Sequence, residues 1–170
     1  YFYNRNFAQA ESYYARAAEV MPAAADYAMF QKGFVAGLQK DYKAKINAMN
    51  SLISQYPQSE YVDDALFEKG RSYVQIEDDA QAETAFKQIL QQFPQSAVAR
   101  KAGIQLGMLY FNRNDLEQAI VAYKKVISEY PGSEEARVAV QDLKSVYLDK
   151  NDIDSYASYV KSLGGNVQFA

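Results

Sequence analysis

Histidine, cysteine and tryptophan are all missing from this 170-residue chain. Without histidine or cysteine it has neither the commonest general base nor the two commonest transition-metal ligands, and no thiolate nucleophile. Disulfides are excluded with the cysteines, so cysteine usage says nothing about the compartment. Long apolar runs are missing too: no stretch approaches the roughly 18–20 residues that a membrane-spanning helix needs. The first twenty residues scatter Asn4, Arg5, Asn6, Glu11 and Arg16 among apolar ones, a pattern unlike that of a signal or transit peptide. The net charge is −3, and no basic block exceeds two residues, as at Lys124-Lys125. The clustered lysines and arginines that bind nucleic acid are therefore lacking. What remains is 49% hydrophobic and 23% charged, the composition of a folded binding or structural protein that needs no cofactor.

The four prolines give the first positive signal, because all of them sit at junctions. Tyr56-Pro57, Phe93-Pro94 and Tyr130-Pro131 recur every 37 residues, and Met21-Pro22 precedes them slightly out of phase. Gly33, Gly70 and Gly107 keep the same interval, as do Ser59, Ser96 and Ser133, and Asp41, Asp78, Asp115 and Asp152. Tyr73, Tyr110 and Tyr147, and Ala48, Ala85 and Ala122, follow suit. A fixed period of 20–50 residues marks a repeat architecture.

Each interval reads as two helices. Proline ends the preceding helix, since it lacks an amide proton and biases its neighbour away from helical angles. The serine two residues on is placed to cap helix A, expected from Glu60 to Gln75 in one copy and from Ala97 to Asn112 in the next. A polar break ending in aspartate follows, and Asp78 with Gln81, like Asp115 with Gln118, has capping-box spacing for helix B. Glycine inside helix A costs roughly 0.5–1 kcal/mol relative to alanine. Three at one register therefore indicate close packing of A on B, with Ala82, Ala85, Ala119 and Ala122 opposite and with Tyr73 and Tyr110 from A and Phe86 and Tyr123 from B filling the intervening space. Asp63-Asp64 and Glu134-Glu135 open helix A, where acidic residues complement the helix dipole.

With a small residue and an aromatic on helix A, then alanine, aromatic, small residue and proline on helix B, the pattern resembles the tetratricopeptide repeat. The best copy is Leu106, Gly107, Tyr110, Ala119, Tyr123, Val126 and Pro131; the one before reads Lys69, Gly70, Tyr73, Ala82, Phe86, Ile89 and Pro94. The repeat here is three residues longer than the usual 34 or so, the excess lying in the Pro-x-Ser junction. That junction is similar to those of bacterial cell-envelope repeat proteins. The family's early tryptophan is replaced by Met29, Leu66 and Gly103.

The resemblance implies an all-α fold, a right-handed α-α superhelix of about nine antiparallel helices with A inside and B outside. It divides residues 1–163 into a half repeat (1–22) and repeats at 23–57, 58–94, 95–131 and 132–163, with an exit linker at 164–170. Because Phe7, Ala10, Tyr14 and Pro22 match the second half of a repeat, the chain is expected to be a piece of a longer protein. An extracytoplasmic bacterial setting rests on the junction alone.

The functional expectation is a scaffold that binds a protein or peptide, not an enzyme. The groove positions carried over from the family are Tyr27, Phe30, Phe34, Gly37 and Leu38; then Asp64, Phe67, Arg71, Val74 and Gln75; then Lys101, Ile104, Met108, Phe111 and Asn112. Phe30, Phe34, Phe67 and Phe111 are expected to be exposed as an aromatic stripe rimmed by Arg71 and Lys101. Packing between neighbouring A helices is the competing reading for several of these positions. The places of the family's lysine–asparagine carboxylate clamp hold Phe30, Phe34 and Gln31, which disfavours that activity. Carbohydrate binding by the groove aromatics, or a spacer without a ligand, are the alternatives.

Overall fold

The computed structural model describes residues 24–164. The expected N-terminal half repeat and the exit linker after Gly164 lie outside them. Among the described residues there are eight helices and no strand: α1 Ala25–Leu38, α2 Tyr42–Gln55, α3 Val62–Gln75, α4 Asp79–Gln92, α5 Ala97–Asn112, α6 Leu116–Glu129, α7 Glu134–Asp149 and α8 Ile153–Leu163. The chain forms two compact units, Tyr1–Ile89 and Leu90–Ala170, divided within α4.

The aspartate of each break caps the following helix. Asp41, Asp78, Asp115 and Asp152 accept from the backbone N–H of Ala44, Gln81, Gln118 and Ser155 at 3.1–3.4 Å. The residue before each aspartate takes up the stop of the previous helix. Lys40, Glu77, Asn114 and Asn151 have φ near +60°, and the next N–H reaches back to Ala36, Tyr73, Tyr110 and Tyr147 carbonyls at 2.8–2.9 Å. These are left-handed helix stops made without glycine.

Of the junction serines, Ser96 and Ser133 cap as expected, accepting from Val98 and Ala136 N–H. Ser59 does not cap the helix that follows it. Its hydroxyl donates to Asp26 Oδ2 at 2.6 Å and accepts from Tyr61 N–H, so α3 begins at Val62 instead of Glu60.

In the first unit α1 packs on α2, α2 on α3 and α1 beside α3, over a core that includes Val35, Met49, Leu52 and Leu66. In the second, α5 packs on α6, α6 on α7, α5 beside α7, and α8 on α7, around Leu106, Tyr123, Val126 and Leu143. Burying such a side chain contributes roughly 1.5–3 kcal/mol.

The repeating glycines do mark close approach of A to B, but alanine is not what faces them in two of the three. A Cβ on Gly70 would lie 2.6 Å from the Phe86 ring, and one on Gly107 2.5 Å from the Tyr123 ring. The aromatic of helix B fills the gap that the glycine leaves in helix A.

Candidate functional site

The first unit departs from its own repeat at two registers, and the departures fit each other. Helix B carries Ala82 and Ala119 where the first copy has Lys45, and helix A carries Val74 and Phe111 where the first copy has Gly37. A lysine at a buried alanine position needs room for its stem. Gly37 supplies it, since a Cβ there would lie 2.6 Å from Lys45 Cδ. The ammonium then reaches α3, with Nζ 2.7 Å from Glu68 Oε1 and only 9% and 12% of the two side chains exposed. Such a pair is costly to desolvate, and it holds only while both charges remain.

The second carboxylate oxygen of Glu68 stands 3.5 Å from Arg71 Nη1, and the Arg71 side chain is 55% exposed. These three charges sit in a cleft of about 190 Å³ whose walls include Phe34 and Leu38 from α1 and Gln75 from α3. Five of the expected groove residues, Phe34, Gly37, Leu38, Arg71 and Gln75, thus line one cleft. Leu38 is 44% exposed at its mouth.

The other expected positions of this unit lie elsewhere. Tyr27 and Phe30 lean on Tyr61, with ring centroids 5.4 and 5.9 Å apart. Desolvation raises the Tyr61 hydroxyl above the ordinary tyrosine range, with the neighbouring Glu60 carboxylate adding to the shift. Asp64 is half-buried in the first turn of α3. Phe67 corrects the expectation of an exposed aromatic: it is 9% exposed. Its ring packs 5.8 Å from that of Phe86, and the Arg71 guanidinium lies 6.0 Å over it. Phe67 joins the core because Gly70, one turn on, draws Phe86 in against α3.

In the second unit the expected positions all stand on α5. Lys101, Met108 and Asn112 are exposed, and Ile104 and Phe111 are half-buried. Their three- and four-residue spacing puts them on one helix face.

Lys45, Glu68, Tyr42 and Ser72, which also line the cleft, were not among the expected residues. The break in the repeat at Lys45 and Gly37 is the sequence signal that marks the cleft. The same design recurs in the second unit, where an acid on helix A holds a group on the preceding helix B. Asp142, at the register of Glu68, accepts from the Tyr123 hydroxyl; burial pushes both groups up, and for Asp142 the tyrosine bond partly offsets it. Among the described residues no group of three or more acidic side chains is placed to hold a metal ion. None of their helices is long and apolar enough to cross a membrane.

Residues 62–152 match the model of a family described as outer membrane lipoprotein (YfiO), and residues 27–59 match a tetratricopeptide repeat model. No curated protein matches the sequence significantly. Among solved structures the chain is similar to MamA, with 21% identity, 91% of this chain and 85% of that one covered, and a TM-score of 0.73. It is similar to BtubC from P. vanneervenii at 15% identity, 98% and 78% coverage and a TM-score of 0.71. The first tetratricopeptide domain of Spaghetti (RPAP3), solved with the HSP90 peptide SRMEEVD, shares 19% identity over 75% of this chain and 94% of that one, with a TM-score of 0.61. At these identities the likenesses establish the tetratricopeptide fold.

Proposed function

As the chain belongs to the outer membrane lipoprotein (YfiO) family and is built of tetratricopeptide hairpins, we propose that it is a binding scaffold of the bacterial cell envelope that engages a protein or peptide through the open faces of its A helices. The observation that carries this reading is the cleft of the first unit. It offers an apolar shelf (Phe34, Leu38), an exposed cation (Arg71) and an exposed amide (Gln75) within one concavity. Peptide sites combine apolar anchors with a few polar groups in this way. On α5, exposed Met108 with Lys101 and Asn112 offers the same mixture of chemistries.

The test is capture of envelope proteins on the immobilised chain, compared with Leu38→Ala and Met108→Ala. Both side chains are exposed, so melting temperature should stay within about 2 °C of the parent, while truncating an anchor weakens capture of a discrete partner by tenfold or more. Unchanged capture by both variants would refute the assignment.

A further inference from the structure

The cleft of the first unit has a charge balance that points to what it takes. Lys45 and Arg71 contribute two positive charges and Glu68 one negative charge. The negative charge is already committed, because its Oε1 holds Lys45 Nζ at 2.7 Å while Arg71 Nη1 stands off at 3.5 Å from Oε2. A contact of 3.5 Å is at the outer limit of a hydrogen bond. The guanidinium is thus the most weakly compensated charge of the cluster, and it is held at the mouth, over the Phe67 ring.

From this geometry we propose, resting on the peptide-binding reading above, that the cleft selects a segment with an internal glutamate or aspartate beside a large apolar residue. The ligand's carboxylate pairs with the Arg71 fork, a charge-assisted contact that arginine makes in bidentate form, and the Gln75 amide is available to donate alongside. The apolar neighbour lies on Phe34 and Leu38, one helical turn apart on α1. One surplus positive charge matches one carboxylate. An internal acid lets the segment continue past Arg71 along α1.

Lys45 is then a positioning residue. It touches no ligand, but by occupying Glu68 it keeps that carboxylate from closing on Arg71 and blocking the site. Gly37 assists the role, because a Cβ there would lie 2.6 Å from Lys45 Cδ and displace the lysine stem.

The experiment is an NMR titration of the isotopically labelled chain with three pentapeptides. The first is Ala-Leu-Glu-Phe-Ala with both ends blocked, the second has glutamine in place of the glutamate, and the third is the glutamine peptide with a free C-terminal carboxylate. The glutamate peptide should shift Arg71, Gln75 and Leu38 resonances and bind about tenfold more tightly than the blocked glutamine peptide, with the advantage lost at high salt. Lys45→Met should remove that tenfold preference, and Lys45→Met/Glu68→Gln, which frees Arg71 again, should restore it. Equal binding of the two blocked peptides at these residues would overturn the charge selection while leaving the peptide site standing. Preference for the free C-terminus would overturn the internal-acid assignment. An unaltered preference in Lys45→Met would overturn the positioning role. If no peptide shifts any A-helix resonance, the peptide-binding reading of the cleft fails with the proposal.

Discussion

Lys45 and Glu68 form an ion pair across α2 and α3, with Nζ and Oε1 2.7 Å apart and both side chains almost closed to solvent. A pair of this kind is expensive to break and cheap to replace. Lys45→Met should therefore cost about 1–3 kcal/mol, less than a full unpairing because Arg71 can close on Glu68, and Lys45→Met/Glu68→Leu should recover most of that loss. Urea unfolding of the two variants checks it; equal stability of the single variant and the parent would mean that the pair contributes little.

Gly107 lies under the Tyr123 ring with no room for a methyl group. Alanine would add helix propensity worth roughly 0.5–1 kcal/mol, but the ring has to move. The expected outcome for Gly107→Ala is a net loss of about 1–3 kcal/mol. A larger substitution such as Gly107→Leu should lose more. A melting temperature at or above that of the parent would contradict the close-approach account of the repeating glycines.

Glu77 occupies the left-handed conformation although it carries a side chain. Glycine adopts that conformation without the steric cost of roughly 1–2 kcal/mol that other residues bear there, offset in part by greater freedom of the unfolded chain. Glu77→Gly should consequently be neutral to stabilising by about 0.5–1 kcal/mol, the opposite of glycine at Glu83 inside α4. Thermal unfolding of the two variants side by side distinguishes the positions.

Asp142 ties stability to pH. Burial raises its pKa, so the folded state holds the proton more tightly than the unfolded state. The stabilising contribution is complete below the unfolded carboxylate value and is lost as pH rises through the folded one. Asp142→Asn, which can still accept from Tyr123, should melt higher than the parent at neutral pH, and the gap should close below about pH 4. A gap that widens in acid would reverse the assigned sign.

The architecture was legible because its signals are local and repeat. Proline junctions, aspartate caps and apolar stripes recur at one interval, so each copy supports the next. The left-handed stops were not legible as such, because Lys40 and Glu77 carry no glycine signature and only the backbone bonds to Ala36 and Tyr73 reveal them. The site divides in the same way. Phe34, Gly37, Leu38, Arg71 and Gln75 are groove positions carried over from the resemblance to the family, on α1 and α3. Lys45 and Glu68 meet across two helices, and the missing side chain at Gly37 assists their meeting. Phe67 was misread as exposed for a similar reason: the space that admits Phe86 belongs to Gly70 on the same helix, and the partner ring comes from α4.

The binding face itself is tested most directly by photo-crosslinking in the cell envelope. A photoreactive amino acid replaces Leu38 or Met108 on the A helices, and in parallel the exposed helix-B residues Lys43 or Lys125. The A-helix positions should each give discrete adducts with a partner protein or peptide, and Arg71→Ala should weaken the adduct formed from position 38. Equal or stronger adducts from Lys43 and Lys125, with none from Leu38 or Met108, would place the working surface on the B helices and contradict the account.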